Sequence, residues 1–137
     1  HLDPATIYTR FFGAKREMSE AELTAATAVD FHTVVALVAV LDNDPETIIG
    51  GGRYVRSPEP NSPDAEVAFM VEEDYQGLGL ASLVLRELIA IAKSAGVARF
   101  IAEVLPANAA MLQVFRRSGH AMSSRTQDGV VHVALEV

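Results

Sequence analysis

The stretch Glu66-Val-Ala-Phe-Met-Val71-Glu-Glu-Asp-Tyr75-Gln76-Gly77-Leu78-Gly79-Leu80-Ala81-Ser82 constrains the fold more than any other part of the chain. A β-branched and aromatic run, Val67 to Val71, ends at an acidic turn. A Gln-Gly-Leu-Gly-Leu-Ala loop follows and opens directly into a long amphipathic helix, predicted over Leu80 to Ala95. A helix N-terminus carries about four unpaired N–H donors and roughly half a positive charge. Gly77 and Gly79 allow a ligand close to the backbone and tolerate positive φ. This strand–loop–helix unit is suited to a phosphate or pyrophosphate.

Three glycine-loop patterns compete for it. The dinucleotide fingerprint needs a third glycine or alanine where Ser82 stands, and an early place in the chain with a doubly wound sheet after it. A phosphate loop of the Gly-Lys-Ser/Thr kind is absent. The pattern Gln/Arg-x-x-Gly-x-Gly/Ala is matched by Gln76, Gly79 and Ala81, and it resembles the coenzyme A loop of the GCN5-related N-acetyltransferases (GNAT). After the helix come a strand (99–105), Pro106-Ala-Asn108, a helix (109–118) and Gly119, in the order and spacing of that superfamily. The resemblance covers about residues 34–137. The opening is similar to one branch, the bacterial protein-lysine acetyltransferases that modify acyl-CoA synthetases. Tyr8-Thr-Arg10-Phe11-Phe12, Ser19-Glu-Ala-Glu22-Leu23, Val29-Asp30-Phe31, Ala36-Leu-Val-Ala39 and Asp64-Ala65-Glu66 carry that likeness.

Composition agrees with a single acyl-transfer domain spanning 1–137. A chain of 137 residues, 50% of them apolar, buries a proper core and is not disordered. No apolar run approaches the ~18 residues of a membrane span, and no signal-peptide pattern opens the chain, so a cytoplasmic protein is expected. The absence of cysteine removes disulfides and thiolate chemistry, and the four scattered histidines suggest no metal. A net charge of −7 argues against nucleic acid and is compatible with a cationic acceptor. The start at His1-Leu-Asp-Pro reads as a domain cut from a longer protein.

The expected fold is α/β (α+β), a mixed, mostly antiparallel sheet with helices on both faces. Residues 19–29 are predicted as a helix, with Ser19 as N-cap and Glu22 at the capping-box position. Strands are predicted at 34–41, 47–55, 66–71, 99–105, 120–125 and 130–136. Turns are expected at Asp42-Asn-Asp-Pro45 and Gln127-Asp-Gly129, with an exposed loop over Ser57–Asp64.

Moving an acetyl group from a thioester to an amine needs a held donor, a deprotonated amine and a stabilised oxyanion. Lysine arrives protonated at neutral pH, so a carboxylate is wanted. The resemblance places this role on Glu66, whose plain alternative is a solvated strand-end glutamate. It also implies that Phe69, Met70 and Val71 offer backbone groups to the pantetheine arm, with the Val71 amide as oxyanion donor. The loop Gln76, Gly77, Leu78, Gly79, Leu80, Ala81 and Ser82 would take the pyrophosphate of acetyl-CoA. Asn108 would contact the arm or cap its helix, and Arg117 would reach phosphate or complement the helix dipole. Phe115 stands where many members carry a tyrosine acid, which leaves the thiolate's proton donor open; Tyr75 and Tyr54 are the hydroxyls to test. His32 and Asp30 read as junction residues and His120 as packing. The expected activity is acetylation of a protein lysine on an acyl-CoA synthetase-type partner. A small-amine acetyltransferase and a catalytically silent coenzyme A-sensing module are the alternatives, separable at the acceptor surface (residues 8–35 and Ser57–Asp64).

Overall fold

Val34 to Leu41 is apolar at every position, as a strand paired on both edges and covered on one face should be. It lies third in an eight-stranded sheet in the computed structural model, which describes residues 8–11, 21–26, 33–41, 44–71 and 79–137. The strands are β1 (Tyr8–Phe11), β2 (Ala21–Ala26), β3 (Val34–Leu41), β4 (Asp44–Arg56), β5 (Asp64–Val71), β6 (Arg99–Val104), β7 (Met122–Gln127) and β8 (Val130–Glu136). Two helices complete the described residues, α1 (Leu80–Ser94) between β5 and β6 and α2 (Ala109–Arg116) after β6. The sheet order is β1-β2-β3-β4-β5-β6-β8-β7, and only β5 and β6 run parallel. The mixed, mostly antiparallel sheet is thus as expected.

The helix predicted over 19–29 is overturned. Residues 21–26 form β2, with Leu23 opposite Thr9 of β1 and Ala39 of β3. Ser19 lies outside the described residues. Glu22 occupies a ladder position, opposite Arg10 and Val40, and not the third residue of a helix. Alanine and glutamate favour helix locally, but ladder bonds to two neighbouring strands outweigh a preference of tenths of a kcal/mol per residue. Smaller shifts have local causes. β4 begins at Asp44, ahead of the predicted Thr47, because register shifts near Ala39–Leu41 bring Asp44 opposite Leu41. Thr47 donates to the Asp44 carboxylate at 2.6 Å. β7 ends in a two-residue turn, with Asp128 and Gly129 both left-handed at φ 55° and 77°, the hairpin geometry such a dipeptide favours.

Alternation on β5 sorts its side chains. Ala65 and Val67 are buried and Phe69 and Val71 half-buried on one face, whereas Glu66, Ala68 and Met70 are exposed on the other. Both described helices lie over the first face. α1 buries Leu80, Leu83, Val84, Leu85, Leu88, Ile89 and Ala92 there, a stripe at helical spacing. Phe115 from α2 is buried on the same side, edge-on to Phe69 at 5.9 Å between ring centres. Of the opposite face, the described residues show strands alone.

The sheet is thinned beneath α1. A Cβ on Gly50 would stand 2.9 Å from the Leu80 side chain, and one on Gly52 2.8 Å from both Phe69 and Val84. Close approach therefore requires glycine at both positions. At its other end, α1 presents the Ala95 carbonyl to Arg56 Nη1 at 2.6 Å, a cation at the negative pole of the helix. Neither described helix is long and apolar enough to cross a membrane.

Candidate active site

The parallel seam sets the geometry. β5 and β6 are in register over only three pairs, Asp64↔Arg99, Ala65↔Phe100 and Glu66↔Ile101. The closed end is clamped by Arg99, whose guanidinium donates to the Asp64 carboxylate at 2.9 and 3.3 Å, a fork matched to two oxygens. Nearby, the amides of Ala98 and Arg99 both donate to the Pro63 carbonyl. From Val67 onward the registered pairs of β5 are those with β4, Tyr54↔Val67 through Gly50↔Val71. The sheet therefore splits next to the segment expected to hold the pantetheine arm.

A cavity of about 400 Å³ lies against the unpaired end of β5. It is lined by Phe69, Met70 and Val71 from β5, Gly79, Leu80, Ala81 and Ser82 from the start of α1, and Asn108, Ala110, Met111 and Val114 from α2 and its cap. Eight of the predicted coenzyme residues thus meet around one space. Gln76, Gly77 and Leu78, like Tyr75, lie outside the described residues. Leu80 is buried, so only its backbone is available to a ligand.

Gly79 opens α1 in the left-handed region, at φ 84° and ψ 5°, and its carbonyl accepts the first intrahelical bond from Leu83 N–H at 3.0 Å. Among the described residues no side chain caps this end, and no acid stands in the first turn. Helices ordinarily satisfy these donors with Ser, Thr, Asp or Asn. Here the first-turn amides and the positive pole are left for an anion. Among the described residues, a Cβ at Gly79 would meet nothing within 4 Å.

A second cavity, of about 320 Å³, shares Gly79, Ser82 and Val114 with the first and continues between the helices to Arg86, Arg117, Ser118 and His120. Arg117 thus lies along the same trench. Arg86 and His120 join it there, although the sequence gives Arg86 no role and reads His120 as packing. Arg86 was detectable, being four residues after Ser82 and on the same helix face. For His120 no sequence signal existed; its Nδ1 is 3.0 Å from the Glu136 carbonyl oxygen.

The remaining candidates separate clearly. Asn108 caps α2, its side-chain oxygen accepting from Met111 N–H at 3.2 Å, which leaves its NH₂ for the cleft. Glu66 is exposed, lines neither cavity, and sits on the helix-free face at the last registered pair of the seam. Phe115 is buried at 1% exposure. Tyr54 is fully buried on the helix side, 5.5 Å from the Phe100 ring, and belongs to neither cavity. Its position in the core removes it as a proton donor at the cleft. Asp30 and His32 lie outside the described residues.

A split mixed sheet, with a glycine-opened helix at the head of the split, is the fold expected of the acetyltransferase class. Residues 4–120 match the model of the Acetyltransferase (GNAT) family, and the chain belongs to that family. It is 35% identical over 111 residues to Acetyltransferase PA5475 of Pseudomonas aeruginosa, covering 80% of this chain and 59% of that protein. It is 36% identical over 132 residues to Acetyltransferase Pat of Mycolicibacterium smegmatis, covering 96% of this chain and 38% of that protein. The chain thus spans less than two thirds of either relative. Among solved structures, the GNAT domain of S. lividans PAT superposes with a TM-score of 0.77 at 25% identity, over 95% of this chain and 97% of that one.

Proposed function

We propose that the protein is an acetyl-CoA-dependent N-acetyltransferase that modifies a lysine side chain on another protein, an acyl-CoA synthetase-type target. The observation that carries this reading is the split beside β5, which begins at Glu66↔Ile101 and ends at the open N-terminus of α1. The pantetheine arm would lie along Phe69, Met70 and Val71, adding a strand where the sheet parts. The diphosphate would bind the loop Gln76–Ser82, with Asn108 on the arm and Arg117 towards the phosphates.

The acceptor then approaches from the helix-free face, where Glu66 stands. Its carboxylate takes a proton from the lysine ammonium, directly or through a water. The freed amine attacks the thioester carbon, and the Val71 amide donates to the developing oxyanion. Collapse breaks the C–S bond and expels the coenzyme thiolate, and the adduct nitrogen gives up its second proton to solvent or to the thiolate, leaving the neutral amide. Buried Phe115 has no proton to give, so the thiolate leaves as such or takes one from solvent. The lysine preference rests on the branch-specific likeness of the opening and on the Pat relative, as well as on an acidic chain of net charge −7.

Incubation with labelled acetyl-CoA and an acyl-CoA synthetase, followed by mapping of labelled lysines, tests the reading. Label on a lysine, lost with Glu66→Gln, is the expected result. Label only on small amines would move the acceptor class. Coenzyme binding with no transfer to any amine would leave a sensing module.

A further inference from the structure

The helix-free face carries a second carboxylate where β5 and β6 part. Phe100, Ala102 and Val104 of β6 are buried on the helix side, so Arg99, Ile101 and Glu103 point to the face that Glu66 shares. Glu66 stands opposite Ile101 at the last registered pair of the seam among the described residues. Glu103 is two residues further along β6, about 6.6 Å, and about one strand spacing of 4.8 Å or more to the side. The two backbones are therefore about 8 Å or more apart, on either side of the mouth through which an acceptor would reach the thioester.

The protein itself makes little use of Glu103. It lies opposite His132 of β8, whose Nδ1 is 4.0 Å from the Glu103 carboxylate, and its side chain is 60% exposed. That distance is beyond a hydrogen bond, and exposed pairs contribute little. Asp64 on the same face is different, because the Arg99 fork holds it. Across β5 the sign changes: Arg53 of β4 is exposed opposite Ala68. A cation on the acceptor is thus drawn to the β6 side and turned away from the β4 side.

We infer that Glu103 recognises a second cation on the acceptor, a lysine or arginine side chain flanking the lysine that is acetylated. The inference rests on the proposed lysine acetylation and names its preferred substrate. In an extended segment, residues two apart point the same way and stand about 6.6 Å apart. One cation then meets Glu66 while the other meets Glu103, the long side chains spanning the remaining distance. An adjacent residue would point away. Selection therefore falls on a basic residue two positions from the target lysine.

Steady-state acetylation of short peptides by the full chain tests it. One peptide carries a single lysine among Gly, Ser and Ala, and the others add Arg or Glu two residues before or after it. The unmodified protein should favour the better Arg peptide over the single-lysine peptide by roughly 3- to 10-fold in kcat/KM, through KM, as suits one charge pair at a rim. Added salt should narrow the preference. Glu103→Gln should bring the Arg peptide to the level of the single-lysine peptide, and Glu103→Arg should turn the preference to a Glu peptide. Melting curves verify that these exposed replacements leave the fold intact. Equal treatment of the Arg and single-lysine peptides by the unmodified protein would overturn the inference and leave the lysine reading standing. A preference for Arg that survives Glu103→Gln would also overturn it, since another group would then read the cation. Acetylation of small amines and of no peptide would overturn the lysine reading and this inference together.

Discussion

Replacing Tyr54 with Phe should make the protein more stable. Tyr54 is fully buried between Val35 and Val67, and among the described residues its hydroxyl has no hydrogen-bond partner. Stranding such a donor away from water costs about 1–3 kcal/mol. Phenylalanine removes the oxygen and keeps the ring against Phe100, so most of that cost is recovered. At about 3–5 °C per kcal/mol for a domain of this size, the melting temperature should rise by several degrees. The pH dependence adds a second signature. Burial raises the Tyr54 pKa above its ordinary value of 10, with Arg56 opposing in part. A raised pKa means that this group's contribution is intact below pH 10 and is lost as pH rises through the folded pKa. The advantage of the Phe variant should therefore widen above pH 10. Urea unfolding at neutral pH and again near pH 10.5 reads both effects. A variant less stable than the original by 1 kcal/mol or more at neutral pH would show that the hydroxyl is satisfied after all.

Four further outcomes follow from the site. Glu66→Gln should lower turnover by roughly 10²–10⁴ with coenzyme affinity nearly unchanged, and alkaline pH should partly rescue it; steady-state rates against calorimetry decide. Gly79→Val puts a branched side chain at the mouth of α1 and is strained at φ 84°, so calorimetry should show coenzyme binding lost while circular dichroism shows the fold retained. Gly52→Ala forces a methyl to within 2.8 Å of Phe69 and Val84, which should cost about 1–3 kcal/mol in denaturant unfolding. Phe115→Ala should cost about 3–5 kcal/mol, and activity scaled to the folded fraction should change little.

The parts of the fold legible in the sequence were those whose signal is local. The strand before Val71, the glycine loop and α1 with Gly96 (φ 86°) past its end carry periodicity and punctuation within a few residues of each other. The place of Asn108 at the cleft and the backbone role of Phe69–Val71 came through family resemblance, because the seam's length depends on residues far apart in the chain. β2 was misread for the same reason: Ala21–Ala26 has helical composition, and only its two neighbours make it a strand. Arg86 shares a helix face with Ser82, which its four-residue spacing shows, but spacing does not reveal what that face meets. Its placement in the trench depends on α2 forming the opposite wall. Tyr54 carries no mark in the sequence of the side it faces until the register against Val35 and Val67 is known.

The three-pair seam also bears on how long the folded protein survives. Strands β1–β5 with α1 form one block, and β6, β7 and β8 form another, joined in the sheet, among the described residues, by Asp64–Glu66 against Arg99–Ile101. A coenzyme arm laid in the split would bridge the two blocks and bind the native state alone. Saturation at a hundred times the dissociation constant then adds about 2.7 kcal/mol to the folding free energy. Amide exchange in β6 and β8 should slow when coenzyme A is added. In a cell, exhaustion of the donor would leave the enzyme idle and also more open to proteases, so acyl-donor supply would set abundance along with rate.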